Sequence, residues 1–268
     1  MSGHIPRIGL GTWERTGERG VEAILTAIEI GYRHLDTAQT YDTESVIARA
    51  IARSGVPRRD FFITTKVADT NLARRDFLPS LRASLDRLRV ERVDLTLIHW
   101  PAYRDVVPFE EYMRELVRAR DEGLTAAIGV SNFPCALVQR AVTMAGPDAI
   151  ATNQIEMHPF LQNRTVAACC RAHDVTVTAY LPIARGLVSN DPLIRRIARD
   201  HSVEPPAVSL AWLLHQGAIV IPASGRREHL EANWRAADLR LSADEMIAID
   251  ALDRGQRLVD PEKSPDWD

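Results

Sequence analysis

Short apolar runs alternate with helical patterns from one end of the chain to the other, and this alternation restricts the fold more than any other feature of the sequence. The predicted strands are Ile8–Leu10, His34–Asp36, Phe61–Lys66, Asp94–Ile98, Ala126–Val130, Thr152–Glu156, Thr176–Ala179 and Ile219–Ile221. Between them lie helical patterns near Gly20–Ile30, Glu44–Ser54, Arg74–Leu88, Phe109–Glu122, Ala136–Met144, Thr165–His173, Leu193–His201 with Ala207–Gln216, and Glu228–Ala236. A last one, Ala243–Leu252, follows Ser242 with Glu245 three residues on, a capping-box pattern. Strands this short and apolar, each followed by a helix, call for a parallel sheet covered on its outer face. With no linker or low-complexity stretch, they predict an α/β fold: a single (β/α)8, or TIM, barrel over residues 1–268 with short N- and C-terminal extensions. The alternative is an open doubly wound sheet, which needs a glycine-rich phosphate turn after its first strand. Gly9-Leu10-Gly11 supplies two glycines, but Glu14 stands at the third position.

Composition narrows the function. The chain has 268 residues, of which 46% are hydrophobic and 26% charged, enough to bury a large core, and no apolar run is long enough to span a membrane. A formal net charge of -3 gives no field for nucleic acid or an anionic membrane. Three cysteines, two of them adjacent at Cys169 and Cys170, make neither a disulfide framework nor a four-ligand zinc site. Residues Met1 to Leu10 contain no apolar signal region. A soluble, cytoplasmic, monomeric protein is expected. Of its 33 basic residues only Lys66 and Lys263 are lysine, so a lysine in the middle of the chain needs a reason.

In a barrel of this kind, polar residues just past the C-terminal strand ends converge on one mouth. Asp36 ends the second predicted strand, with Tyr41 five residues on; Lys66 ends the third; His99 follows the fourth. Singly, each has an ordinary reading: a turn cap, a half-buried aromatic, a satisfied core histidine. Lys66 resists it, because an ammonium on a buried strand is costly unless paired, and Asp36 is the natural partner. An ammonium beside a phenol favours the phenolate, so Lys66 is expected to lower the pKa of Tyr41 from about 10 and make it a usable proton donor. His99 can hydrogen-bond the same substrate oxygen. The set suits carbonyl reduction, in which carbon accepts hydride as oxygen accepts a proton. A hydride donor must come from outside these side chains.

The segment Gly31-Tyr32-Arg33-His34-Leu35-Asp36-Thr37-Ala38, with Tyr41 and Glu44, resembles the aldo-keto reductase family, in particular its prokaryotic 2,5-diketo-gluconate reductase-like type. So do Ile63-Thr64-Thr65-Lys66, Leu95-Thr96-Leu97-Ile98-His99-Trp100-Pro101, Ile128-Gly129-Val130-Ser131-Asn132-Phe133 and Asn153-Gln154-Ile155-Glu156-Met157-His158-Pro159. The resemblance runs in order from Gly9-Leu10-Gly11-Thr12-Trp13 to Asn233. It implies a barrel of NAD(P)H-dependent carbonyl reductases, with a tetrad at Asp36, Tyr41, Lys66 and His99 and the tyrosine as acid. It also implies that Ser131, Asn132 and Gln154 hold the nicotinamide carboxamide and that Tyr180 stacks on the ring. Thr12, Leu181, Ile183, Ser224, Arg226, His229 and Asn233 then fall along the rest of the nucleotide. From the residues alone, Ser131-Asn132 serves equally as a strand-to-helix turn and Gln154 as a partner for barrel backbone.

Four departures from the family pattern carry expectations. Ala223 and His229 stand where lysine and arginine commonly meet the 2′-phosphate of NADPH, which implies relaxed specificity with NADH also used, unless Ser224, Arg226 or Arg227 reaches the same oxygens. Leu181 replaces a serine whose hydroxyl often meets the pyrophosphate, leaving that loop to its backbone groups. Asp42-Thr43 replaces the usual Gly-Asn before Glu44. The short ends leave little room for an N-terminal hairpin plugging the barrel or for a long C-terminal substrate loop. An open, tolerant pocket walled by Trp13 and Trp100 is therefore expected, with small to medium aldehydes, α-dicarbonyls or keto-sugars as substrates, and Trp267 either folded over the mouth or disordered.

Two other readings stand beside this one. The first is a catalytically silent nucleotide-binding regulator on the same barrel, against which the complete tetrad argues. The second is a metal-dependent hydrolase suggested by His34, Asp36 and His99, for which no second ligand cluster is present. No metal is expected, and His4, His158, His173, His201 and His215 read as surface or structural.

Overall fold

The computed structural model describes residues 5–268; His4 lies outside them. Among the described residues eight parallel strands follow one another in chain order: β1 (Gly9–Gly11), β2 (His34–Asp36), β3 (Phe62–Val67), β4 (Val93–Ile98), β5 (Thr125–Ser131), β6 (Ile150–Glu156), β7 (Thr176–Tyr180) and β8 (Ile219–Val220). The sheet closes on itself, because Ile8 bridges Val220 and the Val220 N–H donates to the Arg7 carbonyl at 2.9 Å. Glycine makes that closure possible at the upper rim. A Cβ on Gly11 would lie 2.7 Å from the Ile221 carbonyl oxygen, so any side chain there would push the two chain segments apart. The (β/α)8 expectation holds, with strand ends moved by one or two residues.

Helices α1 (Gly17–Ile30), α2 (Glu44–Ser54), α3 (Arg74–Leu88), α4 (Phe109–Asp121), α5 (Cys135–Ala145) and α6 (Arg164–Ala172) cover the first six crossovers. Both α7 (Pro192–Asp200) and α8 (Pro205–His215) lie between β7 and β8, and α9 (Arg227–Arg235) and α10 (Ala243–Asp250) complete the outer ring. Local chemistry sets several of these starts. The Asp191 carboxylate accepts the Leu193 and Ile194 N–H groups ahead of α7, with Pro192 at the first helical position. Ser242 and Glu245 form the anticipated capping box. Helix α8 is apolar on all sides and buried from Ala207 to Leu214.

Alternation along the strands sorts side chains between the two faces. Leu35, Ile63 and Val67 join the apolar layer under the helices, whereas His34, Asp36, Thr64 and Lys66 face the barrel interior. At the lower end, Ile5, Leu95, Leu97 and Ile219 pack together with Phe62, Ala127 and Ala151 against them, so Ile5 helps to fill that end. His34 is held by Thr64 Oγ1 at 3.0 Å and the Pro6 carbonyl at 3.3 Å, and burial lowers its proton affinity, which makes it a structural group. No helix among the described residues is long and apolar enough to cross a membrane. A disulfide joins Cys135 at the start of α5 to Cys169 in α6, while Cys170 is buried and free; the cysteine count alone did not anticipate that pair.

Candidate active site

The inward-facing positions at the upper ends of β2 and β3 bring Asp36 and Lys66 together. The Lys66 ammonium is fully buried and donates to Asp36 Oδ1 at 2.5 Å, to the Thr37 carbonyl at 2.9 Å and to the Tyr41 hydroxyl at 3.4 Å. Each of its three N–H donors therefore has an acceptor, the condition under which a buried charge is tolerated. Gln154 at the end of β6 donates to the other Asp36 oxygen at 2.7 Å. Thr12, Thr43 and Thr37 join their hydroxyls in a chain, at 2.9 and 2.7 Å, that ends on the Asp36 carbonyl and braces the loop carrying Tyr41. Tyr41 keeps part of its ring at the surface, edge-on to Trp13 at 4.8 Å, but its hydroxyl reaches the floor and lies 3.3 Å from His99 Nε2. All four expected proton-handling groups are thus in one place.

Their acidities differ from the expectation at one point. Burial pushes the Tyr41 phenol above its ordinary range; the Lys66 ammonium pulls it down, and Asp36 pushes it up again. The expected net lowering by Lys66 is reversed, because desolving a phenolate costs more than one neighbouring ammonium returns when a carboxylate already neutralises that ammonium. Burial alone would strip the proton from Lys66, but Asp36 and Tyr41 outweigh it and hold the ammonium above its ordinary value. His99 falls well below 6.5, mainly through burial and further through the charges of Lys66 and Lys263, so its imidazole is neutral at pH 7. At neutral pH the floor holds a protonated phenol, a charged ammonium and a neutral imidazole.

A cavity of about 730 Å³ lies over this floor. Trp13, Tyr41, His99 and Trp100 line it, together with Arg15, Arg185 and Ala223. Thr12, Ser131, Asn132, Gln154, Tyr180, Leu181 and Ile183 line it as well. Asn132 sits at a positive φ of 62°; its amide donates to the His99 carbonyl at 3.0 Å, and its Oδ1 accepts the Tyr180 hydroxyl at 2.9 Å. Gln154 Oε1 takes no hydrogen bond among the described residues and adjoins the cavity, so a primary amide fits against it. Past β7, Leu181, Ala184 and Arg185 all have positive φ, a cluster of strained backbone of the kind that persists where a ligand is gripped. A nicotinamide nucleotide fits these donors and acceptors and a cavity of this volume.

The remaining expected contacts lie apart from the cavity wall. Ser224, Arg226 and His229 sit on the outer loop and first turns of α9, where the Ser224 hydroxyl accepts the Arg226 N–H at 3.2 Å and Arg226 pairs with Glu228 at 2.7 Å. Asn233 is buried on α9. Trp13 is 54% exposed on the rim, whereas Trp100 is buried in the wall.

The open mouth expected from a short C-terminus is corrected. Residues 256–268 cross the barrel as a strap, and Val259, Pro261 and Lys263 line the cavity. Buried Glu156 at the end of β6 fixes the strap by accepting the Leu258 N–H at 2.8 Å and the Val259 N–H at 2.9 Å, and it also takes His158 Nε2 at 2.9 Å. Lys263 pairs with Asp69 at 2.7 Å, and Trp267 folds back edge-on to Trp100 with ring centres 6.2 Å apart. Sequence reasoning missed Glu156 and Lys263 as parts of the mouth. The scarcity of lysine, applied only to Lys66, also pointed at Lys263.

A closed (β/α)8 barrel whose mouth sets a phenol against a carboxylate-held ammonium and a neutral imidazole, beside a nucleotide-sized cavity, belongs to the carbonyl-reducing oxidoreductases. The Aldo/keto reductase family model matches residues 7–254, and the chain belongs to that family. It is 47% identical over 265 residues to methylglyoxal reductase DkgB of Escherichia coli O157:H7, covering 98% of this chain and 99% of that one. A crystal structure assigned as a 2,5-diketo-D-gluconic acid reductase B superposes with a TM-score of 0.94 at 37% identity, covering 98% of this chain and 94% of the other. Aldose reductase from Schistosoma japonicum gives 0.90 at 31% identity over 97% and 95%. The protein is accordingly an NAD(P)H-dependent oxidoreductase that reduces carbonyl groups, and nothing favours the silent-regulator reading.

Proposed function

We propose that the protein reduces small aldehydes, α-dicarbonyls such as methylglyoxal, and keto-sugars to alcohols, with Tyr41 donating the proton. The observation that carries this is the contact between the Tyr41 hydroxyl and both Lys66 and His99 on the cavity floor. A substrate oxygen seated there meets the phenol and the imidazole together. When bound, the nicotinamide supplies the hydride. As carbon is reduced, the oxygen becomes an alkoxide far more basic than a phenolate, so a phenol kept protonated by burial still gives up its proton at that moment. Lys66 then faces the phenolate, and Asp36, braced by Gln154, holds the ammonium in position. His99 orients the oxygen without competing as an acid, because it is neutral.

For the cofactor, Ser131, Asn132 and Gln154 would hold the carboxamide and Tyr180 the ring face. Thr12, Leu181 and Ile183 would line the remainder, with Ser224, Arg226, His229 and Asn233 nearest the adenosine end. The arginines of that end are exposed and already paired with acids, which supports weak discrimination between NADPH and NADH. Titrating both cofactors tests this: a preference for NADPH above about a hundredfold, roughly 2.7 kcal/mol, overturns it. A single domain over residues 1–268, a monomer and a cytoplasmic location complete the reading. Turnover of a carbonyl panel, followed by nicotinamide absorbance, tests the activity; no reduction of any aldehyde or dicarbonyl overturns it.

A further inference from the structure

The turn from β5 into α5 carries Ser131 and Asn132, and α6 ties it down through sulfur. Asn132 holds a positive φ of 62°, a conformation that persists in a non-glycine residue only where its surroundings impose it. Part of that hold comes from β6: Asn153 Nδ2 donates to the Phe133 carbonyl at 2.9 Å, and Asn153 Oδ1 accepts the Phe133 N–H at 3.4 Å. The same Asn153 amide donates to Cys170 Sγ on α6 at 3.7 Å. Two residues past Phe133, Cys135 opens α5 and is joined by its disulfide to Cys169, the neighbour of Cys170. The Cys135 N–H donates to Asp268 Oδ2 at 2.7 Å, so the end of the C-terminal strap seats on the same residue. The three sulfurs are not equivalent. Cys135 is half-buried, Cys169 is buried and Cys170 is fully buried. Burial pushes the Cys170 thiol up to about 11, which keeps it protonated and inert at neutral pH. The pair that can exchange with a thiol in solution is therefore Cys135 and Cys169, reached from the Cys135 side. In the cytoplasmic location proposed above, where thiols are kept reduced, a disulfide belongs to the reversible, sensing kind.

We propose, on the reading of Ser131 and Asn132 as carboxamide ligands, that Cys135 and Cys169 form a thiol–disulfide exchange site that sets affinity for the nicotinamide end of the cofactor, the oxidised protein binding more tightly. Oxidation runs through a small disulfide such as glutathione disulfide. The Cys135 thiolate attacks one sulfur of the reagent and expels a glutathione thiolate; the Cys169 thiolate then attacks the Cys135 sulfur of the mixed disulfide and expels the second. The two cysteines lose two electrons, and their two thiol protons end on the two glutathione molecules released. Two reducing thiols reverse both steps. With the bond broken, the turn keeps its hydrogen bonds to β6 but loses its covalent tie to α6. Ser131 and Asn132 must then be ordered at the moment of binding, which lowers affinity by about threefold to tenfold.

The test titrates NADPH by fluorescence against the whole chain in two forms, one equilibrated with glutathione disulfide and one with dithiothreitol, with free thiols counted in each by alkylation in denaturant and mass spectrometry. The oxidised form should show one free thiol and the reduced form three, and the reduced form should bind NADPH about threefold to tenfold more weakly. Titration with 2′-phosphoadenosine diphosphoribose, which lacks the nicotinamide, should give the same affinity in both forms. Cys135→Ser and Cys169→Ser, each alone, should bind NADPH as the reduced protein does and ignore both reagents. A general loosening of the barrel would weaken NADPH and the fragment alike, and that result overturns the proposal. So does equal NADPH affinity in the two forms, or a treated protein that retains three free thiols or carries a glutathione adduct in place of the bond; each of these leaves the reductase reading standing. Failure of either form to bind NADPH at all overturns the function and this inference with it.

Discussion

The arc from β2 to β4 lines the cavity and the edge around α9 lies outside its wall, and the two handle charge in opposite ways. On the first, Lys66, Asp36 and His99 are buried and the ion pair is tied by hydrogen bonds to its surroundings. On the second, Arg226 and Arg227 are exposed and pair with Glu228 and Glu29 across solvent. A buried network fixes geometry and sets proton affinities, and it fails as a unit; a solvated cluster contributes little to the fold and can change residue by residue. The two arcs should therefore answer substitution on different scales.

The largest effect is expected at Lys66. Lys66→Met leaves a buried carboxylate without its counter-ion, and urea unfolding should show a loss of about 3–5 kcal/mol together with a collapse of turnover. The double variant Lys66→Met/Asp36→Asn should lose less stability than the sum of the two single changes. If Lys66→Met unfolds like the native protein, the network is not the unit described. Next, Tyr41→Phe keeps the ring against Trp13 and removes the donated proton. Turnover should fall by about 10²–10⁴-fold with nucleotide affinity, read by fluorescence titration, nearly unchanged; turnover near the native rate would strip Tyr41 of its role.

A smaller effect comes from the imidazole. His99 in the fold refuses a proton that the unfolded chain accepts near its ordinary value of 6.5, so stability is fully present above that pH and is lost as pH falls below it. His34 acts in the same direction. His99→Gln should flatten the decline between about pH 6.5 and 5 by up to roughly 1.4 kcal/mol per pH unit, measured by denaturant midpoints across pH. An unchanged slope would show that the folded imidazole titrates freely. The smallest effect is expected at α9. Arg226→Ala should move stability by less than about 0.5 kcal/mol and weaken NADPH only modestly; a loss of NADPH binding beyond tenfold would make that edge a true phosphate clamp.

The barrel and the buried pair were legible because both are written in periods. Two-residue alternation places Asp36 and Lys66 inside, and a chain that otherwise uses arginine marks its middle lysine as purposeful. The rise in the Tyr41 value was not legible, since it depends on how much solvent the assembled cavity removes. The strap was hidden for a different reason: residues 256–268 have no apolar period, and their anchor, Glu156, lies about a hundred residues away on another strand. Likewise, nothing in the spacing of Cys135 and Cys169 distinguishes them from Cys170; only the packing of α5 on α6 does.

The scarcity of lysine has a practical outcome. Reagents that couple proteins to dyes or resins through primary amines will meet, besides the α-amino group, one lysine sealed beneath the phenol and another on the cavity rim. Immobilised through a lysine side chain, the enzyme would be tethered at its own entrance, so supports that grip the outer helices instead are the ones that would leave it accessible.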